Sequence, residues 1–400
     1  MILHDLGERL IRAGSARMGK EVPWMPLKIP LYKIYWDEED VTGVTEVIRK
    51  GMYWAIGPDI ERFEKIVSEY VGTKYAMAFN SGTSALHATL LACEIGTGDE
   101  IIVPSFTFIA TANSALFVGA KPVFADVEEK TYGLDPKDVE KRISKKTKVL
   151  MPIHYGGVPC QIGKLKELAE DRKLLLIEDA AESIGASVDG KKVGSFGGAS
   201  MLSFCGNKVI TTGEGGMLLT DSRDIYEKLK LIRSHGRLET ENYFISAKVM
   251  DYVALGFNWR MSTMTAALGI TQMRKLDKVV ELRRKNSAYL TRKLSEIDGI
   301  VPPTEPKGYY CIYQMYTIRV KGEKKKRDAL QKHLTDKGIG TKLFFEPVHL
   351  THFYREKFKY KGGELPTTEK LSEQVLTLPM YPSLTQEEMD YMSNSIKEFM

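Results

Sequence analysis

The chain has 400 residues, of which 43% are hydrophobic and 27% charged, and this composition excludes an intrinsically disordered protein. Its length predicts one large domain and a smaller second one. The net charge of +5 is spread along the sequence, and the short run from Lys324 to Arg327 is typical of a solvated face, so we expect no nucleic-acid partner.

The cysteine pattern and the lack of long apolar runs predict where the protein works. The four cysteines lie far apart and lack the spacing of a zinc site, so we expect no metal and a reducing environment. The first residues lack a signal-peptide core, and no apolar run is long enough to cross a bilayer. We therefore expect a cytoplasmic protein without a membrane partner.

The first residues differ in character from the rest of the chain. Residues 1–28 carry Leu3, Leu6, Leu10 and Ile11 at helical spacing, followed by prolines, which predicts a short helix and a loose tail. We interpret 1–28 as an N-terminal extension, 29–260 as the large domain and 261–400 as the small domain.

The stretch 76–88 has the pattern of a strand, a tight turn and the start of a helix. Gly82, Thr83 and Ser84 lie at the turn, where the helix N-terminus offers unpaired N–H groups and a favourable dipole. This arrangement predicts a phosphate-binding turn. The alternative is a plain N-cap, because serine and threonine are common at helix starts.

From about residue 99, short β-branched runs alternate with longer amphipathic segments. Strand, helix, strand in repetition predicts a parallel sheet covered by helices on both faces. Ligands of such sheets gather at the carboxyl ends of the strands. The predicted strands are 100–103, 122–125, 149–153 and 174–177, and the predicted helices are 110–118, 136–143 and 162–172.

Two residues on this edge carry the predicted chemistry. Asp179 follows the buried strand 174–177, and Lys208 lies between a short apolar strand and a glycine-rich turn that ends at Gly216. A partly desolvated amine can attack a carbonyl to form a Schiff base. Together, the lysine and the aspartate indicate pyridoxal 5'-phosphate, whose aldehyde needs an amine and whose ring nitrogen needs an anion.

Beyond Arg260 the pattern changes to a second α/β unit. We expect a long helix over 263–297 that bridges the two domains, a strand over 312–320, a helix over 325–337 and a return through 341–345.

With these residues in place, the chain resembles the DegT/DnrJ/StrS sugar aminotransferases, a family of fold type I pyridoxal-phosphate enzymes. The resemblance runs from about residue 29 to the C-terminus and is most similar to the perosamine synthase branch. It implies an α/β fold with a mostly parallel central sheet between helices and a smaller C-terminal α/β domain. Five collinear motifs carry it: Asn-Ser-Gly-Thr-Ser at 80–84, Val-Pro-Ser-Phe-Thr-Phe-Ile-Ala-Thr at 103–111, Ile-Glu-Asp-Ala-Ala-Glu at 177–182, Ser-Phe-x-Gly-Asn-Lys at 203–208 and Gly-Phe-Asn-Trp-Arg-Met at 256–261.

The resemblance implies a role for each matching residue. Lys208 would carry the cofactor and move the proton in catalysis, and Asp179 would pair with the ring nitrogen. Phe108 would stack on the ring, although an aromatic in Phe106-Thr107-Phe108 is by default core packing. The other implied cofactor contacts are Gly82, Thr83, Ser84 and Ser203 at the phosphate and Glu182, where much of the family has glutamine.

Further implied contacts concern the substrate and a second subunit. Asn258 would reach the phosphate of the neighbouring subunit's cofactor in a homodimer with shared sites, the alternative being a helix N-cap. Loops around Tyr53-Trp54, Tyr155 and His349 would select the sugar, and His154 would face the cofactor. For both histidines the alternative is a structural role.

The implied reaction moves an amino group from glutamate to a nucleotide-linked 4-keto-6-deoxy sugar. A sugar dehydratase of the same fold is one alternative, but such enzymes have histidine in place of the reactive lysine. A non-catalytic regulator is another, and no helix-turn-helix with a basic recognition helix supports it.

Overall fold

A computed structural model describes residues 27–238 and 246–400 of the chain. The helix expected over Leu3 to Ile11 lies outside the described residues. The helices are α1 (Glu38–Lys50), α2 (Pro58–Val71), α3 (Gly82–Ala92), α4 (Ile109–Phe117), α5 (Pro136–Arg142), α6 (Ile162–Asp171), α7 (Arg223–Arg233), α8 (Thr263–Leu294), α9 (Lys324–Asp336), α10 (His352–Phe358), α11 (Pro366–Gln374) and α12 (Gln386–Phe399).

The strands are short, and most lie where alternation predicts them. They are β1 (Tyr75–Phe79), β2 (Glu100–Pro104), β3 (Lys121–Ala125), β4 (Thr147–Leu150), β5 (Leu175–Asp179), β6 (Ser187–Val188), β7 (Lys191–Lys192), β8 (Ala199–Ser203), β9 (Gly216–Thr220), β10 (Ile300–Val301), β11 (Tyr309–Tyr310), β12 (Tyr316–Val320) and β13 (Val375–Leu378).

The large sheet has seven strands in the order β1-β9-β8-β5-β4-β2-β3. Only β9 runs against its neighbours, β1 and β8, and every other pair is parallel. The expected mostly parallel sheet is therefore confirmed. Because β1, β5 and β8 all run the same way, their carboxyl ends meet at one edge of the sheet.

Helices cover both faces of this sheet. Ala76 and Ala78 of β1 point into a core shared with α2 and the first half of α8, whereas Met77 and Phe79 point into a core shared with α3 and α4. This alternation follows from the two-residue period of a strand. Because both faces of the sheet are buried, the strand sequences are continuous apolar runs and do not alternate between apolar and polar residues.

A smaller antiparallel sheet, β10-β12-β13, lies in the C-terminal part of the chain with α9 and α12. Packing crosses the predicted domain boundaries in two places. Ile29 belongs to the small-domain core, whereas Val348, Tyr354 and Leu365 pack into a core of the large sheet.

Two predicted elements of the C-terminal part differ in extent. Strand β12 begins at Tyr316 rather than at Ile312, because Ile312 and Met315 hydrogen-bond to the Gly156-Gly157 turn of the large domain. The expected return over 341–345 makes a single bridge, between Lys342 and Thr377. Within residues 27–238 and 246–400, no helix has both the length and the apolar character of a membrane span.

Candidate active site

The site is built at the carboxyl edge of β1, β5 and β8. Strand β5 ends at Asp179 and its parallel neighbour β8 ends at Ser203, so both residues reach the same edge. Helix α3 starts beside them. A Cβ at Gly82 would lie 2.9 Å from Sδ of Met201 and 3.3 Å from Cβ of Ser203, so glycine permits this close approach.

Lys208 lies in the loop after β8 with its amine directed inward. Its Nζ lies 3.3 Å from Oε1 of Glu182, and only 13% of its side chain is exposed. The other carboxylate oxygen of Glu182 accepts a 2.9 Å hydrogen bond from the backbone N–H of Gly156. The lysine amine is thus held by a buried carboxylate that is itself fixed by the backbone.

Asp179 is buried and hydrogen-bonded at both oxygens. Thr111 donates to Oδ2 at 2.7 Å, and the N–H of Ala181 donates to Oδ1 at 3.2 Å. Burial raises the pKa of Asp179 above its ordinary value, because the charged form is poorly solvated, while these two hydrogen bonds act to lower it. Such a carboxylate is stabilised by any cation that binds against it.

Thr111 is a site residue that the sequence reasoning did not assign. It lies in the first turns of α4, and its hydroxyl also bonds the hydroxyl of Thr107 at 2.7 Å. Its sequence signal was its place at the end of the 103–111 motif. The pairing with Asp179 spans 68 positions and becomes visible only in the fold.

The predicted phosphate-binding turn is the N-terminus of α3. Ser81 is the N-cap, and its hydroxyl accepts from the N–H of Ser84. The hydroxyl of Ser84 is buried and donates to Oδ1 of Asn80 at 2.6 Å, so it supports the turn. Thr83 is half-buried. Since Ser203 and Gly82 lie side by side, the residues predicted to bind phosphate form one group.

Phe108 is an exposed aromatic residue that directly precedes helix α4. It is 59% exposed, and its ring centroid lies 6.4 Å from that of Phe345. Phe108 therefore does not pack in the core, which was the alternative expected from its sequence context. An exposed ring next to a polar site offers a flat apolar surface on which a planar ligand can stack.

His154 and His349 are both fully buried and use both ring nitrogens within the protein. Nε2 of His154 lies 3.1 Å from Glu178, and Nδ1 accepts from the N–H of Cys160, so the ring carries its proton on Nε2. His349 bonds Ser105 through Nδ1 and Glu369 through Nε2. Both rings therefore make structural contacts, and neither has a ring nitrogen left over.

Two other residues expected near the sugar also make internal contacts. The hydroxyl of Tyr155 donates to the carbonyl of Phe344 at 2.5 Å, and its ring is buried. Trp54 is half-exposed and donates to the carbonyl of Val47, while its own carbonyl accepts from Thr263. None of its described hydrogen bonds involves Lys208 or Asp179.

Asn258 is exposed and lies beside the start of α3. The next residue, Trp259, accepts a 2.9 Å hydrogen bond from the N–H of Asn80 through its carbonyl. The segment before it exposes apolar side chains: Val249 is 101% exposed and Leu255 is 85% exposed.

A cluster of potential metal ligands is found among the residues that the structure describes. Ligand atoms of His349, Glu364 and Glu369 come within 4.8 Å of one another. Both carboxylates already accept backbone N–H groups of the loop 361–365. Their arrangement is therefore explained by the loop that they hold together.

Taken together, the fold and the site define a class: an α/β enzyme that presents a half-buried lysine, a buried aspartate and the N-terminus of a helix at one sheet edge. The model of the DegT/DnrJ/EryC1/StrS aminotransferase family matches residues 35–397, and the chain belongs to this family.

Known relatives and structures are similar over nearly the whole chain. The GDP-perosamine synthase of Caulobacter vibrioides is 38% identical over 339 residues, which cover 84% of this chain and 88% of that protein. A pleiotropic regulatory protein of Geobacillus stearothermophilus is 36% identical over 364 residues, covering 90% and 94%. The PLP form of the putative sugar aminotransferase Spr1654 of Streptococcus pneumoniae has 25% identity and a TM-score of 0.86, covering 94% of this chain and 98% of that one.

These similarities confirm the expected fold class and the aminotransferase assignment. Aminotransferases of this family use pyridoxal 5'-phosphate, so the expected cofactor is confirmed as well. The residues present fit it: a half-buried amine, a buried carboxylate whose pKa is raised by burial, an exposed aromatic ring and a glycine where a Cβ would fill the turn.

Proposed function

We propose that this chain transfers an amino group from glutamate to a nucleotide-linked keto sugar, with a 4-keto-6-deoxy sugar as the expected acceptor. The observation that carries the proposal is the contact between Lys208 and Glu182 at the edge of the sheet where strand β5 ends in Asp179. The similarity to GDP-perosamine synthases favours this acceptor class over other keto compounds.

Lys208 is proposed as the catalytic residue. When bound, pyridoxal phosphate supplies an aldehyde and an electron-withdrawing ring. Nζ of Lys208 would hold the cofactor at that aldehyde, and as a free amine it would carry the proton that moves at the substrate carbon. Glu182 keeps the amine directed into the site from 3.3 Å away.

Asp179 and the residues around it are proposed to bind and orient the cofactor. The carboxylate of Asp179, fixed by Thr111, would pair with the protonated ring nitrogen. Phe108 would cover the ring. The start of α3 with Thr83 and Ser84, together with Ser203, would hold the phosphate, because a helix N-terminus offers N–H donors to an anion.

We further propose a homodimer in which the partner completes the site. Val249 and Leu255 are almost fully exposed and lie on the segment that leads to Asn258. Apolar side chains exposed in this way are typical of an interface between subunits. A second copy covering them would bring Asn258 toward the cofactor phosphate of its neighbour.

The four cysteines are all free, which supports a reducing cytoplasm as the setting. Of the two alternatives, the dehydratase is disfavoured because a lysine stands at position 208. The non-catalytic regulator is kept as an outcome of the test, since one relative carries a regulatory name.

The test is an absorbance scan of the purified protein with pyridoxal phosphate, before and after glutamate, followed by a panel of GDP-, UDP- and dTDP-linked keto sugars. Glutamate should replace the visible band by that of the aminated cofactor, and one sugar should restore it. No spectral change with cofactor and glutamate would favour the regulator. A glutamate-independent loss of water from the sugar would favour the dehydratase.

A further inference from the structure

Lys208 is fixed at its backbone as well as at its amine. The carbonyl of the preceding residue, Asn207, accepts a 2.7 Å hydrogen bond from Nε2 of Gln314. Gln314 lies 107 positions further along the chain, just before β12 of the small sheet. The small domain therefore contacts the peptide that carries the reactive lysine.

Gln314 itself is firmly held. It is 7% exposed, and its backbone carbonyl accepts from Nη1 of Arg283 in α8. The same guanidinium nitrogen also donates to the carbonyls of Tyr313 and Met380 at 2.9 and 3.0 Å. Because a buried guanidinium is costly unless it is hydrogen-bonded, these bonds hold residues 313–314 in one place against the long helix.

The same segment also reaches Lys208 by a second route. Ile312 and Met315 donate to the carbonyls of Gly157 and Gly156, both at 3.0 Å. The N–H of Gly156 in turn donates to Glu182, the partner of the lysine amine. A Cβ at Gly157 would lie 2.6 Å from Ile312, so this close contact requires glycine.

The orientation of the Gln314 amide is set by this contact. The reverse orientation would place two oxygens 2.7 Å apart, at Asn207 and Gln314. In the orientation observed, Oε1 of Gln314 is buried without a hydrogen-bond partner among residues 27–238 and 246–400. A buried acceptor without a partner costs free energy, so stability alone favours an apolar side chain here. What the amide supplies is the bond to Asn207.

We propose that Gln314 is a positioning residue for Lys208: its side-chain amide fixes the peptide between Asn207 and Lys208, so that the amine stays directed at Glu182 and at the reacting atoms. This inference rests on the proposed function, in which that amine is the catalytic group. In this proposal, a residue of the small domain helps to position the catalytic lysine of the large domain.

The test compares three variants with the wild type. Gln314→Met keeps the length of the side chain and removes the donor. Gln314→Glu keeps its shape and becomes a donor only when protonated. Gln272→Met is the matched control, because Gln272 is also buried and also bonds the loop after Lys208, through the N–H of Thr211.

With each variant shown to be folded by circular dichroism, we expect Gln314→Met to lower kcat by between about tenfold and about a hundredfold with little change in KM. Gln314→Glu should lose activity at neutral pH, and its activity relative to wild type should recover as the pH falls. Gln272→Met should lower the melting temperature and leave kcat close to wild type. An unchanged kcat in Gln314→Met, or an equal loss in Gln272→Met, would overturn the inference.

A second readout separates this inference from the proposed function. Peptide mass spectrometry measures how fast Lys208 is modified by two reagents. One is pyridoxal phosphate, whose adduct is trapped with borohydride, and the other is acetic anhydride. Failure of pyridoxal phosphate to modify wild-type Lys208 would contradict the proposed function. Equal acetic anhydride rates in wild type and Gln314→Met would contradict the positioning role, whichever cofactor binds.

Discussion

Nζ of Lys208 lies 3.3 Å from Oε1 of Glu182, and this contact joins the loop after β8 to the loop after β5. The same carboxylate accepts the N–H of Gly156, so one side chain holds two parts of the site. Removing Glu182 therefore affects both the lysine amine and the turn at Gly156.

Replacing Lys208 by alanine should abolish turnover and the visible band of bound pyridoxal phosphate, because no other amine lies against Glu182 among the described contacts. The pocket tolerates a smaller side chain, so circular dichroism should match the wild type. Lys230→Ala, at an exposed position of α7, is the control and should keep full activity. Aminotransferase activity retained by Lys208→Ala would refute its role.

Replacing Asp179 by asparagine should lower kcat by about 10²-fold or more, because the charge that we propose to pair with the ring nitrogen is lost. Activity assays with saturating cofactor measure this. Thr111 can keep its contact, since its hydroxyl can accept from the amide while donating to Thr107.

Although Asp179→Asn should lower activity, it should not lower the stability of the cofactor-free protein. Burial raises the pKa of Asp179 above its ordinary value of 3.8. The carboxyl group therefore stabilises the folded protein at a pH below 3.8, and this contribution is lost as the pH rises through the pKa that the group has in the folded protein. Cofactor-free Asp179→Asn should therefore unfold at an equal or higher temperature at pH 7. A clear fall in melting temperature there would contradict this reasoning.

Glu182→Ala should destabilise the cofactor-free protein by about 1–3 kcal/mol, because the buried N–H of Gly156 loses its acceptor. Glu182→Gln keeps an acceptor for that group and should lose less. Urea unfolding of the two variants provides the measurement. An equal loss in both would mean that the hydrogen bond to Gly156 does not carry the effect.

A charge on the exposed apolar segment should prevent dimer formation. Leu255→Asp is expected to halve the mass measured by light scattering after size exclusion and to weaken cofactor retention, because in the proposed dimer Asn258 would no longer reach the neighbouring subunit. Phe353→Asp, at another exposed apolar position on α10, serves as the control and should leave the mass unchanged. A monomeric wild type would contradict the proposed assembly.

Much of the large domain could be predicted because its signals are local. Alternating strands and helices from residue 99 indicated the parallel sheet, with β5 and α6 within a few residues of their expected bounds. The start of β12 was misplaced because residues 312–315 have the apolar composition of a strand, but the backbone turns at Tyr313, whose φ is 49°, and Ile312 and Met315 bond Gly157 and Gly156 instead of a neighbouring strand.

The sequence by itself determined which chemistry this protein carries. A lysine after an apolar strand, an aspartate at a strand end and a glycine turn before a helix are local patterns, since each depends on neighbouring residues and on strand direction. Only the tertiary structure decided what holds these groups. Thr111 on Asp179 and Gln314 on Asn207 are contacts across 68 and 107 positions, and no periodicity encodes them because they depend on how separate elements pack.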